Sequence, residues 1–237
     1  CVVDVEPIVT PAVNDSVGVD LGLKTFAVTS RGEFINSPGY ARLDRKIRRF
    51  QRKLARQAKG SARWCRTKRR IAKLNLKIAN IRKDFLHKLS TKLVHDNQII
   101  SLEDLNVKGM VKNRRLARAI SQQGWGMFRQ LVEAKAVMYG RQSAIISRWE
   151  PTSQICSYCG YRWGKLDLSV RELVCMNCLT HHDRDQNAAV NIDNSGLELA
   201  HESNWTVSAS KTGIPAKRVD LSTRLVDDNG QLCLFAS

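Results

Sequence analysis

Apolar and polar positions follow two periods along this chain, and each change of period marks a new element. Residues 17–36 alternate with period two: Val17-Gly18-Val19-Asp20-Leu21-Gly22, then Thr25–Thr29, then Glu33-Phe34-Ile35 after Arg31-Gly32. Successive side chains of a strand point to opposite faces, so this stretch reads as a meander of two or three strands with Gly32 in a hairpin turn. The period then becomes helical. Leu43, Ile47, Phe50 and Leu54 share one face, and Ile71, Leu74, Ile78, Ile81 and Phe85 recur at spacings of 3, 4, 3 and 4. These predict helices over 41–59 and 61–95, folded into an antiparallel hairpin at Gly60-Ser61. Gln98–Leu105 is an apolar run ending in Glu103 and Asp104, the signature of a buried strand. Residues 106–123 read as a basic loop entering a helix, 125–140 as an amphipathic helix, and 144–149 as a strand stopped by Pro151. Short strands are expected at Tyr161–Trp163 and Glu172–Val174, and a capped helix starts near Asp183.

Charge sharpens this picture. The 237 residues carry 39 Lys and Arg against 22 Asp and Glu, a net of +17. Residues 42–92 alone hold 20 of those cations, with Asp44 and Asp84 as their only acids. Signs that are not mixed cannot pair along the helix, so the hairpin is expected to meet a polyanion. The candidate contacts are Arg45, Arg48, Arg49, Arg52, Lys53, Arg56, Lys68, Arg69, Arg70, Lys73, Lys77, Arg82 and Lys83. Contacts of this kind fix affinity and register, and do not read sequence.

Seven cysteines are present, and four of them form two Cys-x-x-Cys knuckles, Cys156/Cys159 and Cys175/Cys178. Each knuckle aims two thiolates at one point, the pattern of a tetrahedral zinc site. Four thiolates leave no open position, which makes the expected Zn²⁺ structural and leaves His181 and His182 outside the ligand set. Cys1, Cys65 and Cys233 show no pairing pattern, which points to a reducing compartment. With no signal peptide and no long apolar run, the expectation is a cytoplasmic, nucleoid-associated protein with no membrane partner.

Three acids stand at strategic places. Asp20 interrupts an apolar strand between two glycines, Glu103 is the first acid past the next apolar run, and Asp185 lies in the helix start after the knuckles. Taken singly, an Asp at a strand end is ordinarily a turn cap. Together they suit metal-dependent phosphodiester cleavage, in which carboxylates from several elements hold Mg²⁺ or Mn²⁺. Asp104 and Asp183 read as local caps or supports beside them.

Four segments in order carry a family resemblance. Val17-Gly-Val-Asp-Leu-Gly-Leu-Lys-Thr-Phe-Ala resembles the first RuvC motif of the TnpB/OrfB proteins of bacterial insertion sequences. Ser101-Leu-Glu-Asp-Leu-Asn-Val-Lys-Gly-Met resembles their second, and the paired knuckles with Asp183-Arg-Asp185-x-Asn187-Ala-Ala resemble their zinc ribbon and third motif. Arg82-Lys-Asp-Phe-Leu-His-Lys-Leu-Ser resembles their bridging region. The resemblance spans residues 17–192. It implies an α/β, RNase H-like (RuvC) mixed sheet with an inserted basic helical hairpin and a zinc ribbon. It also implies catalytic Asp20, Glu103 and Asp185 in a transposon-encoded, RNA-guided DNA endonuclease related to type V CRISPR effectors. DNA and a guide RNA are the partners it implies.

The expected layout is the end of a recognition domain or a linker at 1–16, a nuclease domain at 17–150 with the hairpin at 41–95, and a ribbon at 151–182. A last motif and helix follow at 183–192, then a flexible tail at 193–237. Two departures stand out. Set against the resemblance, these 237 residues are expected to hold only the last strand of the family's N-terminal recognition region, and Leu179 follows the last knuckle cysteine where the family usually has Gly. A Gly permits positive φ there, so this turn is expected to be strained or reshaped. The competing expectations are a catalytically silent nucleic-acid binder, an inactive remnant, and a nuclease of DNA junctions that uses no guide. The intact acidic set favours cutting.

Overall fold

In the computed structural model, residues 10–167 and 169–202 are described. Strands β1 (Ser16–Leu21), β2 (Ala27–Thr29) and β3 (Phe34–Ile35) form the expected meander. Helices α1 (Ala41–Ala55) and α2 (Ala62–Asp96) follow, then β4 (Ile99–Glu103). Short helices α3 (Val107–Met110) and α4 (Ala117–Gln123) lead into α5 (Trp125–Met138) and β5 (Gln142–Ile146). After a 3-10 turn at Thr152–Gln154 come β6 (Glu172–Val174), β7 (His181–Asp183) and α6 (Arg184–Glu202).

The main sheet has the order β3-β2-β1-β4-β5, with β1 antiparallel to β2 and parallel to β4, and β4 parallel to β5. The period-two pattern explains its two faces. Val17, Val19, Ile100 and Leu102 are buried in one apolar cluster with Leu86 and Leu89 of α2 and Phe128 and Val132 of α5. Phe26 centres this cluster, edge-on to Phe85 at 5.0 Å and to Phe128 at 5.4 Å. The residues between them face α6. Gly18 and Ser101 are register partners, and a Cβ on Gly18 would lie 2.1 Å from the Ala189 carbonyl oxygen. Gly196 of α6 comes as close to Ser101. Small residues on both elements let the helix backbone lie directly on the sheet.

Helices α1 and α2 pack through Tyr40, Ile47 and Ile78, with Leu43, Ile71, Leu74 and Ile81 around them. Ser61 caps α2 by accepting a hydrogen bond from the Trp64 amide at 3.2 Å. The apolar face of α2 then turns with the helix, from α1 at Ile71–Ile81 to the sheet and α5 at Phe85–Leu93. The base of the pair is held by Arg118, 2.6 Å from Asp44, and by Gln122 on the same carboxylate.

Several expectations are corrected here. β5 ends at Ile146, because the chain turns at Ser147, where the Glu150 amide bonds the Ser147 carbonyl at 3.0 Å. The strand expected at Tyr161–Trp163 is one isolated bridge between Ile155 and Arg162. Residues 193–202, expected as the start of a flexible tail, continue α6, since Leu197 and Ala200 pack on Ile99 and Ala144. The rest of that tail, the last strand of the recognition region (read at Val2–Val5 from its apolar run), Cys1 and Cys233 lie outside the described residues.

Candidate active site and metal centre

The alternation that buries Val19 and Leu102 against α2 and α5 puts Asp20 and Glu103 on the α6 face, at the C-terminal ends of adjacent parallel strands. Asp185 sits in the first turn of α6, which Asp183 caps by accepting from the Asp185 and Gln186 amides at 3.0 and 2.9 Å. Asp20, Glu103 and Asp185 thus line one cleft of about 330 Å³. Burial, then the charges of Asp185 and Glu103, push the Asp20 carboxyl up to about 7. Burial, then the neighbouring Asp104 charge, raise Glu103 as well. Asp20 is thus a buried carboxyl facing two like charges, a repulsion that a bound cation would relieve.

Sequence reasoning missed the cations of this cleft. Arg148, Arg171 and Arg184 line it together with Glu150. Arg171 donates from Nη1 to both Asp185 oxygens, at 2.9 and 3.0 Å. Arg184 turns to the Asp167 carbonyl at 2.7 Å. Asp104 is held by Arg148 and Arg129, which keep its carboxyl below the usual range, Arg148 most strongly. These arginines come from three separate segments with no common period. Only Arg184, inside Asp183-Arg-Asp185, carried a local signal.

The four knuckle cysteines converge, with their sulfurs all within 4.8 Å of one another. Cys156 and Cys178 are 3.7 Å apart, and Cys159 and Cys175 are 3.6 Å apart. Four sulfurs about 2.3 Å from one ion would stand about 3.8 Å apart in a tetrahedron, so this set fits Zn²⁺. His182 Nε2 lies 3.1 Å from the Cys156 sulfur, beside the ligand set and not part of it. The two knuckles have one backbone design. The Gly160 and Leu179 amides bond the Cys156 and Cys175 carbonyls, and the Cys156 and Cys175 amides bond the Tyr161 and Thr180 carbonyls, all at 2.9 Å. Gly160 takes φ +73° and Leu179 +61°, so the second turn keeps its shape and carries the strain.

The module is tied to α6. Asn187 accepts from the Ser157 amide at 2.9 Å and donates to the Ile155 carbonyl at 2.8 Å, and Asn191 reaches Thr152 and Ile155. The Arg184 amide bonds the Arg171 carbonyl at 2.7 Å.

Of the thirteen cations proposed for α1 and α2, all are exposed except Arg82, which is half-buried and bonds the Ser121 carbonyl at 3.0 Å. Arg82 therefore also tethers α2 to α4. Six of the others, Arg49, Arg52, Lys53, Arg56, Arg70 and Lys73, line a groove of about 950 Å³ between the two helices together with Phe50 and Leu74.

A mixed α/β domain with a three-acid cleft and a four-cysteine module is the class these features define. The OrfB_IS605 model, described as "Probable transposase", matches residues 1–114, and a model of the Cas12f1-like TNB domain matches residues 125–192. A Streptomyces pristinaespiralis protein named "Putative RNA-guided DNA endonuclease" is 45% identical over 188 residues, 79% of this chain and 46% of that protein. InsQ of Escherichia coli K12, named in the same way, is 34% identical over 194 residues, 74% of this chain and 48% of its own length. A TnpB-like protein of Methanocaldococcus jannaschii is 30% identical over 70% of this chain. A solved Cas12f1 chain, from a complex with sgRNA and target DNA, shares the fold at a TM-score of 0.55 and 18% identity, covering 79% of this chain and 51% of that one. The chain belongs to the TnpB/OrfB family of insertion-sequence proteins. It spans less than half the length of the curated relatives described above. Among the described residues no helix is long and apolar enough to cross a membrane.

Proposed function

We propose that this chain is the nuclease part of a transposon-encoded, RNA-guided DNA endonuclease, with an RNase H-like (RuvC) sheet, an inserted basic hairpin and a zinc ribbon. The observation that carries the reading is the placement of Asp20, Glu103 and Asp185 on one face of two adjacent strands and the first turn of α6. Three crowded carboxylates are the donor set a hard divalent cation requires, so Mg²⁺ or Mn²⁺ fits here. When bound, such ions activate water and stabilise the leaving oxygen of a phosphodiester.

The chain's own residues do the rest. Asp20 and Glu103 sit on strand ends anchored by the core, which fixes their separation. Asp185 is held by the α6 cap and by the ribbon through Asn187 and Asn191. Arg171 and Arg184 bring positive charge to the cleft, where a scissile phosphate needs it. The exposed cations of α1 and α2 hold a nucleic-acid backbone in the groove at Phe50, with a steep dependence on salt. Zn²⁺ in the cysteine cluster is structural. DNA and guide RNA are the partners and the bacterial nucleoid the setting.

Cleavage of single- and double-stranded DNA with Mg²⁺ tests this reading, comparing the chain with Asp185→Ala, with and without co-purifying RNA. Cutting that needs Mg²⁺ and Asp185 is the expected result, and its dependence on RNA separates a guided enzyme from a junction nuclease. Tight, salt-sensitive binding without cutting in the full-length protein would instead establish a silent binder.

A further inference from the structure

We propose that Trp149 is a stacking platform for one unpaired base of the strand lying in the acid cleft, a role that rests on the nuclease reading above. Trp149 is 86% exposed. A single exposed aromatic is ordinary on a protein surface. Its setting here is not. The residues on both sides of it, Arg148 and Glu150, line the cleft that holds Asp20, Glu103 and Asp185. Trp149 does not itself line the cleft; its backbone sits in the rim turn between two residues that do, which leaves the exposed indole next to the proposed site of chemistry and open to an occupant.

The rim is also fixed in place. The Glu150 amide bonds the Ser147 carbonyl at 3.0 Å, and the Trp149 amide bonds Ser147 Oγ at 3.3 Å. Arg148 is anchored on Asp104, which Arg129 holds from α5. Pro151 stiffens the exit from the turn. The backbone of Trp149 is thus set before any ligand arrives, so little order has to be gained on binding.

The chemistry of an occupant follows from its neighbours. Arg171 and Arg184 supply positive charge in the cleft, and Trp149 offers a π-face beside it. A phosphate in the cleft with its base on the indole satisfies both. Base–aromatic stacking requires an unpaired base and tolerates any base, since every base has a π-face. The platform would position a strand next to the carboxylates and select no sequence.

Binding of short fluorescein-labelled oligo-dT tests this in Ca²⁺, without cutting. Trp149→Ala removes only an exposed side chain and leaves the fold intact by circular dichroism. It should weaken binding about tenfold, while Trp149→Phe keeps most of the affinity. One abasic site, scanned along the oligonucleotide, should weaken the unsubstituted chain by a similar factor at one position and leave Trp149→Ala unaffected there. Equal binding by Trp149→Ala and the unsubstituted chain overturns the platform, as does additive loss in every pairing of variant and abasic site. Neither result touches the nuclease reading, which stands or falls on Mg²⁺- and Asp185-dependent cutting.

Discussion

Arg171 and Asp185 meet across the junction between the cysteine module and α6, with Nη1 2.9 and 3.0 Å from the two carboxylate oxygens. Arg171 precedes β6, so the strand that pairs with β7 delivers this guanidinium to the acid. The pair is partly exposed, and such pairs contribute about 0–1 kcal/mol to stability. Its importance is therefore expected in the chemistry. Arg171→Ala should leave urea stability within about 1 kcal/mol and slow single-turnover DNA cleavage about 100-fold, the usual scale for losing one donor to a transition-state charge. A rate equal to that of the unsubstituted chain would remove Arg171 from the site.

Gly18 sets the distance between the sheet and the helix that carries Asp185. An added Cβ would lie 2.1 Å from the Ala189 carbonyl oxygen and 2.4 Å from the Asp193 amide nitrogen, and backbone cannot swing aside. Gly18→Ala should force α6 off β1, cost about 3 kcal/mol in urea unfolding and abolish cutting. Gly39→Ala is the matched control, because a Cβ there meets nothing within 4 Å. Similar stability for the two variants would contradict the close approach seen here.

These two sites show what the chain's pattern can and cannot reveal. Period-two alternation assigned Val17 and Val19 to one face and Gly18 and Asp20 to the other, so the face and strand end of the acids were legible. The knuckle spacing was equally legible, since two tight turns need no distant partner to converge. The length of α6 was not. Its contact face uses Gly196 and other small residues to approach Ser101 closely, and small residues weaken the apolar signal that marks a helix. The cleft arginines were hidden for a different reason. Arg148, Arg171 and Arg184 converge only when the ribbon folds back on α6, through the backbone bond from Arg184 to Arg171 and the Asn187 and Asn191 side chains.

Cys175→Ser should separate the ribbon's support of α6 from the sheet's. One missing thiolate opens the tetrahedron, and structural zinc sites depend on all four ligands. Bound zinc should be lost, and hydrogen exchange should rise at the Asn187 and Asn191 contacts while Ile192–Ala200, packed on β4 and β5, stays protected. Unchanged zinc content and unchanged protection at 184–191 would show that the cysteines do not support this helix start.

Leu179 is the only non-glycine residue with positive φ among the described residues, at +61°. The left-handed conformation costs an L-residue about 1–2 kcal/mol. The first knuckle avoids this with Gly160 at the matching position. Leu179 is 72% exposed, so replacing it removes little packing. Leu179→Gly should stabilise the ribbon by about 1 kcal/mol, seen as slower zinc release to a chelator and a higher midpoint of unfolding. Faster release would mean that the leucine side chain stabilises the knuckle more than its backbone strains it.

The raised Asp20 carboxyl predicts how the fold responds to pH before any divalent ion enters the acid cleft. Its folded value is about 7, against an ordinary 3.8, through burial first and then the charges of Asp185 and Glu103. The folded state therefore binds this proton more tightly than the unfolded state. Stability conferred by the protonated carboxyl is full below about 4 and is lost as pH rises towards 7. At about 1.4 kcal/mol per unit, the loss reaches about 4 kcal/mol at neutral pH. Asp20→Asn cannot ionise, so it should flatten this dependence and unfold at higher urea than the unsubstituted chain at pH 7.5, in buffer with zinc retained and no Mg²⁺. The same variant should lose cutting altogether. Added Mg²⁺ should stabilise the unsubstituted chain at pH 7.5 and leave Asp20→Asn nearly unchanged, because a cation offsets the repulsion only where all three carboxylates are present. Parallel urea curves for the two proteins from pH 5 to 7.5 would mean that Asp20 is not held among like charges in the cleft.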